Sequence, residues 1–244
     1  MNSGKKTKIV CTIGPATESV EKLTALVNAG MNIMRLNFSH GDFAEHQNRI
    51  DNLKIVKEKL KGESPQSIMV MQDLSGPKIR TGEFETTTVT LKEGQEFTFT
   101  TEKIVGNDKR VSINYPLLPK EVKVGGYILV DDGKKKFQIT AIKGNEVITK
   151  IINGGVTKGR RGVNLPGAYL SISSITDKDR KDLEFGLKNK VDFFALSFVR
   201  KPSDIFELRT ILNKEKSKAR IVAKIETPEA LENIDEIIKL SDAI

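Results

Sequence analysis

Tryptophan is absent from this 244-residue chain, tyrosine occurs three times, and aromatic residues make up only 6% of it. Single-stranded nucleic acids are bound by basic grooves interleaved with stacking aromatics. The net charge of +8 therefore does not by itself mark a nucleic-acid protein. The lysines are spread along the chain, and the densest run, Lys134 to Lys136, follows Asp131-Asp132-Gly133 and reads as the far side of a hairpin turn. Cys11 is the single cysteine, which excludes an intramolecular disulfide and suits a buried thiol in a cytoplasmic protein. His40 and His46 are the only histidines, too few for a histidine metal cluster. No apolar run approaches the ~18 residues of a membrane-spanning helix, and no apolar signal core follows Met1. Neither a Walker motif nor a Gly-x-Gly-x-x-Gly fingerprint is present. Gly154, Gly155 and Gly159 read as turn residues. No nucleic-acid or membrane partner is expected.

What is present is an alternation of strand-like and helix-like segments. A β-branched run from Thr7 to Ile13 ends at Gly14-Pro15. Val20, Leu23, Leu26 and Val27 then recur at helical spacing, with Gly30 as a stop. A second strand is expected from Asn32 to Phe38. A longer helix follows, with Phe43, Ile50, Leu53, Val56 and Leu60 on one face, and a third strand from Ser67 to Asp73. After a long interruption the rhythm resumes with a helix over 177–188. Strand four is expected over 191–198, then a helix capped by Ser203 that carries Ile205, Leu208 and Leu212. Strand five runs from Arg220 to Ile225. Thr227 caps a last helix with Pro228 in its first turn and Leu231, Ile234 and Ile238 as its buried stripe. A sixth strand would begin at Ser241 to Ile244.

The interruption has a different period. Phe97 and Phe99, Val111 and Ile113, Ile128 and Val130, and Phe137 and Ile139 alternate with polar neighbours. Turn signals fall at Asn107-Asp108, Asp132-Gly133 and Gly144-Asn145, and no helical stretch is visible. The expected architecture is α/β: an incomplete (β/α)8 TIM barrel of about five strand–helix units, residues 1–80 and 163–244, with an all-β lid domain inserted over 81–162. About eight units normally make a closed barrel. The sequence is accordingly expected to be an N-terminal portion of a longer protein, and a non-catalytic fragment is one reading of it.

Polar residues cluster at the ends of the apolar strands: Thr12 on the first; Arg35, Asn37 and Ser39 on the second; Asp73 on the third; Ser197 on the fourth; Lys224 and Glu226 on the fifth. In a (β/α) barrel these ends share one face, where active sites of this fold are built. Arg35, Asn37 and Ser39 are two apart and share one side of an extended strand. That trio suits a phosphate or a cation better than a core. Lys224 and Glu226 repeat the spacing, and the flanking Ile221, Val222, Ala223 and Ile225 are apolar, so the pair lies at the mouth of the core. Phosphoryl transfer needs positive charge fixed around the migrating group and a metal bridging the reactants.

Three segments carry a specific likeness: Met34-Arg35-Leu36-Asn37-Phe38-Ser39-His40-Gly41, Met71-Gln72-Asp73-Leu74-Ser75-Gly76-Pro77-Lys78-Ile79-Arg80-Thr81-Gly82, and Ile221-Val222-Ala223-Lys224-Ile225-Glu226-Thr227-Pro228. Together they resemble pyruvate kinase over essentially the whole chain. The resemblance implies phosphoryl transfer from phosphoenolpyruvate to ADP, giving pyruvate and ATP in a cytoplasmic, homotetrameric parent enzyme. It makes Arg35 a contact for the substrate phosphate, Lys224 the stabiliser of the phosphoryl group and the enolate, and Glu226 a ligand of Mg2+ or Mn2+. It assigns Asn37, Ser39, Asp73 and the carbonyl of Leu74 to a monovalent cation. It sets Arg80, Arg161, Thr12, Pro15, His40 and Asn37 on the nucleotide side. The second carboxylate of the metal site is expected beyond residue 244, so the chain alone is expected to be inactive.

One departure stands out. Potassium-requiring members typically read Asp-Thr-Lys-Gly-Pro-Glu where this chain reads Asp73-Leu74-Ser75-Gly76-Pro77-Lys78. An ammonium group at Lys78 could supply the charge that K+ otherwise brings. A lyase on a phosphoenolpyruvate-type barrel is the rival enzyme class, disfavoured by the long insert after the third strand.

Overall fold

The computed structural model describes residues 6–61, 68–168 and 170–244. The chain divides into two compact units, one of residues 1–77 with 173–244 and one of residues 78–172. The expected insert bounds of 81–162 fall inside the second.

The first unit begins with β1 (Val10–Thr12), α1 (Val20–Asn28), β2 (Ile33–Asn37), α2 (Phe43–Lys59) and β3 (Met69–Asp73). β1 is shorter than the apolar run foretold, because the Ile9 N–H is taken by the Asn32 side chain at 2.8 Å before regular pairing starts. Ser67, the expected start of β3, lies outside the described residues.

The second unit holds β4 (Val89–Leu91), β5 (Glu96–Thr100), β6 (Arg110–Ser112), α3 (Leu118–Glu121), β7 (Tyr127–Val130), β8 (Lys135–Lys143), β9 (Glu146–Asn153), β10 (Gly155–Thr157) and β11 (Val163–Asn164). Six of these strands form a sheet in the order β11-β7-β8-β9-β5-β6, and β10 pairs with β4. All the pairings are antiparallel except β5 with β6. The alternating residues foretold as inward-facing are buried, and Phe97, Phe99 and Phe137 pack mutually at 5.0 to 5.4 Å between ring centroids. α3 corrects the expectation of an insert without helix. It is a single turn with Pro119 in its first positions, too short to show a helical period. The turn expected at Asp131 to Gly133 is present, with all three residues at positive φ.

The chain then returns to the first unit with α4 (Asp177–Lys188), β12 (Phe193–Leu196), α5 (Pro202–Lys214), β13 (Arg220–Ala223), α6 (Pro228–Glu232) and α7 (Ile234–Leu240). Its sheet runs β1-β2-β3-β12-β13, parallel throughout. Past α7, Ala243 makes an isolated parallel bridge to Val222, where a sixth strand was expected. Leu23 and Val27 of α1, Ile50, Leu53 and Val56 of α2, Leu183 of α4 and Leu208 of α5 enter one core with the sheet. Strands in sequential parallel order, helices between them, are the arrangement of part of a (β/α) barrel.

Two helix expectations are corrected. α5 is capped at Lys201, not Ser203, with Pro202 in the first turn. Proline needs no hydrogen-bond partner there, and the Asp204 carboxylate takes the N–H groups of Arg200 at 2.9 Å and Lys201 at 3.3 Å. The last helix is two pieces. The Thr227 cap is present, accepting from the Ala230 N–H, but the Asn233 side chain donates to the carbonyls of Arg200 and Glu229 at the break. The phase shifts there, so Ala230 and Ile237 are buried whereas Leu231 and Ile238 are exposed.

Candidate active site at the strand ends

Asp73 closes β3 with a side chain only 2% exposed. A carboxylate so buried needs cations and donors around it, and neighbouring strands supply them. From β2, Arg35 donates through Nε at 2.8 Å and also through Nη2. From just past β13, Lys224 Nζ reaches both carboxylate oxygens at 3.1 and 3.3 Å. Arg35 turns its other arm to Thr12 Oγ1 at the end of β1, at 2.5 Å. Four strands thus fix two cationic heads around one buried carboxylate. Both heads remain partly open, with side-chain exposures of 28% for Arg35 and 29% for Lys224. Arg35 keeps N–H donors beyond those given to Asp73 and Thr12, and fixed cations of this kind suit an anionic group.

Ser197 follows β12, at the end of the run expected as strand four, where the sequence pattern places it among the polar strand-end residues. It is 2% exposed. Its oxygen accepts from Lys224 Nζ at 2.8 Å, while its single proton goes to the Leu74 carbonyl at 2.6 Å, with Asp73 Oδ1 farther off at 3.3 Å. The hydroxyl therefore ties Lys224 to the exit of β3.

Glu226 stands two residues beyond Lys224. Its Oε2 accepts the Phe198 N–H at 3.0 Å and its Oε1 lies 3.3 Å from Lys224 Nζ. Phe198 adopts φ 55°, a left-handed conformation that a bulky residue holds only under local constraint. Opposite it sits Gly76 at φ 66°, where an added Cβ would come within 3.1 Å of both the Phe198 ring and Ser197 Cβ. Neither Phe198 nor Gly76 was singled out from sequence, since backbone φ and close approach across strands leave no local pattern.

The turn after β2 carries the remaining polar trio. Asn37 Oδ1 accepts the Ser39 N–H at 3.0 Å, and Ser39 Oγ lies 3.5 Å from Ser75 Oγ. Asn37 and Asp73 are register partners, and the Phe38 N–H donates to the Asp73 carbonyl at 3.0 Å. Asn37, Ser39, Asp73 and Leu74 therefore belong to one pair of adjoining strand ends. Of the polar groups on that pair, the Asp73 carboxylate and Leu74 carbonyl turn toward Lys224 and Ser197. Pro15 and His40 are exposed on the connections after β1 and β2.

Within the second unit, Arg80 and Arg161 come together: Arg80 bridges Gly162, and the Thr81 N–H donates to the Arg161 carbonyl at 2.9 Å. Arg161 Nε lies 3.7 Å from Asp131 Oδ1. The Lys78 carbonyl accepts from Asn114 Nδ2 at 3.0 Å. Arg160, at positive φ, pairs with Glu83 in an exposed loop. Among the described residues, no three His, Cys, Asp or Glu side chains gather as a metal-binding group, and no helix is long and apolar enough to cross a membrane.

The family model for the barrel domain of pyruvate kinase matches residues 4–244. The chain belongs to the pyruvate kinase family. It is 46% identical over 240 residues to pyruvate kinase from Thermotoga maritima, a match covering 98% of this chain and 51% of the relative. Against pyruvate kinase from Geobacillus stearothermophilus the identity is 42% over 243 residues, covering 98% of this chain and 41% of the relative. A solved pyruvate kinase from Cryptosporidium parvum superposes with a TM-score of 0.90 at 38% identity, covering 97% of this chain and 49% of that one. The chain thus spans about half the length, or less, of the family members it matches.

Proposed function

We propose that the protein carrying this chain transfers the phosphoryl group of phosphoenolpyruvate to ADP, giving pyruvate and ATP. One observation supports this above the others: Arg35 and Lys224 are clamped on the buried Asp73 carboxylate with their cationic heads half-open at the strand ends. Arg35, fixed by Asp73 and Thr12, would bind the substrate phosphate. Lys224 would meet the phosphoryl group as it migrates and the enolate oxygen left behind. Charge fixed in advance of the reaction costs little reorganisation when the transition state forms.

Glu226 offers a half-exposed carboxylate oriented by the Phe198 N–H and Lys224. Oxygen donors of this kind fit Mg2+, which keeps several waters, and Mn2+ shares the preference. We assign Glu226 as a protein ligand of such an ion. When bound, the ion would neutralise charge on the transferring group. Asn37, Ser39, Asp73 and the Leu74 carbonyl are the proposed monovalent-cation ligands, with Lys78 as a tethered substitute for K+. Arg80 and Arg161, adjacent on their seam, would contact the nucleotide phosphates; Thr12, Pro15, His40 and Asn37 complete that side.

Pyruvate formation from phosphoenolpyruvate should depend strictly on ADP. Equal rates without ADP would point to a lyase or phosphatase instead. In a K+-free organic-cation buffer the enzyme should work without added KCl, and Lys78→Glu should create a K+ requirement. Strong K+ activation of the unmodified enzyme would show that Lys78 does not fill the cation site.

A further inference from the structure

His46 lies on α2 and is 1% exposed. Its ring stacks on Phe38 with centroids 4.0 Å apart and planes 10° apart. Nε2 lies 3.0 Å from the His40 carbonyl oxygen, and Nδ1 lies 3.2 Å from Arg49 Nη1. A guanidinium only donates hydrogen bonds, and a carbonyl only accepts them. Nδ1 must therefore be the acceptor and Nε2 the bearer of the proton. The neighbours of the ring fix one neutral tautomer.

This side chain grips the turn after β2 in the middle. His40, whose carbonyl it holds, is followed by Gly41 at φ 78°. A Cβ on Gly41 would meet Glu45 Oε2 at 2.5 Å, with Arg49 Nη1 and His46 Nε2 both at 3.4 Å. Side chains of α2 thus fill the space under the turn. Arg49 passes the connection on: its Nε donates to Glu18 Oε2 at 2.8 Å. Asn52 donates to the Glu18 carbonyl at 2.9 Å. Glu18 sits in the connection after β1, which also carries Pro15. From α4, Lys178 Nζ donates to the Phe38 carbonyl at 2.7 Å and to Asp182.

We propose that His46 is a positioning residue: as the neutral Nε2–H tautomer, coupled through Arg49 to Glu18, it sets the two connections that bear Pro15 and His40 and thereby the affinity for the nucleotide. The kinetic part rests on the function proposed above. The part concerning tautomer and geometry does not. Arg35 is anchored separately on the strands by Asp73 and Thr12, so the phosphoenolpyruvate side should feel little of it.

Protonation of the ring would place a second N–H against a guanidinium. Burial, then the charge of Arg49, pull the His46 pKa below its ordinary 6.5. The His40 carbonyl and Glu45 oppose this, and Lys178 adds to it. Glu18 faces the cluster through its pair with Arg49, and Asp182 is paired with Lys178.

Nitrogen-15 spectra of the imidazoles, assigned by the signals that vanish in His46→Gln, test the tautomer directly in the full protein. The expected result is an Nε2–H ring that stays neutral at pH 6.5. An Nδ1–H ring, or half-protonation at or above pH 6.5, would overturn the proposal. Kinetics test the consequence. His46→Leu should raise the KM for ADP about tenfold, the worth of one buried hydrogen bond. The KM for phosphoenolpyruvate should change less than about twofold. Glutamine can reproduce the Nε2–H donor, so His46→Gln should recover part of the ADP affinity. Equal rises in both KM values, or no rise for ADP, would contradict the positioning role. Should the leucine variant fail to fold, the glutamine variant and the spectra still decide. Absence of all kinase activity would count against the proposed function, while the spectra would still judge the tautomer.

Discussion

The two units of this chain bury their polar groups in opposite ways. In the antiparallel unit the buried interior is aromatic and aliphatic, and its fully buried polar side chains are threonines such as Thr100 and Thr149. Thr149 simply donates to the Phe97 carbonyl. In the parallel unit, Asp73, Ser197, Asp179 and Asp204 are buried alongside Arg49 and Arg200. In both units buried polar groups seek partners, with Thr157 Oγ1 in one and Ser174 Oγ in the other as exceptions. The units differ in where partners come from. Neighbouring strands satisfy each other's backbone in both units, and in the antiparallel unit the inward side chains are free to be apolar. Parallel strands end together on one edge, and their terminal side chains must solve the hydrogen-bonding problem jointly. That shared solution is what makes Arg35, Asp73, Ser197 and Lys224 a candidate site.

If this contrast is right, core damage should be read as lost stability in one unit and lost activity in the other. Phe99→Ala in the antiparallel unit should cost about 3–5 kcal/mol, as for other large-to-small changes at fully buried rings. Denaturant unfolding measures it. A loss under about 1 kcal/mol would mean that the ring cluster is loosely packed. Gly76→Ala comes next, at about 1–3 kcal/mol, because it forces a left-handed alanine against Phe198 and Ser197. It should also lower turnover by displacing the Phe198 N–H from Glu226. Ser197→Ala should cost roughly tenfold in kcat with little change in melting temperature, since Lys224 loses one charge-assisted partner. An inert alanine would sever Ser197 from the account.

The smallest effect concerns pH. With its folded pKa lowered, His46 contributes stability that is fully present above 6.5 and is lost as pH falls through the folded value. Unfolding midpoints should therefore fall on mild acidification, and the fall should be reduced in His46→Gln. An unchanged acid slope in that variant would assign the effect to other groups.

Sequence made the strand–helix order and the strand-end residues legible because both are written in short-range pattern. Thr227 with Pro228, and the helix over 177–188, are local signals, and both stand where they were expected. Ser203 misled because Lys201, Pro202 and Asp204 together outcompete a lone hydroxyl. Leu231 and Ile238 misled because a break at Asn233 rotates the helical face. The pairing of Arg35 and Lys224 on one carboxylate joins residues far apart in sequence, and only the strand order β2-β3-β12-β13 brings them together. Phe198 and Gly76 depend on backbone conformation and cross-strand distance, which composition and period do not encode.

Lys224 is proposed to serve the transferring phosphoryl group rather than ground-state binding. Lys224→Met in the full-length protein that carries this chain tests the role, with turnover and calorimetric binding of phosphoenolpyruvate measured on the same preparation. kcat should fall by about 10²–10³-fold or more while the dissociation constant for phosphoenolpyruvate changes by less than about fivefold. A variant that keeps its kcat and loses only affinity would contradict that role.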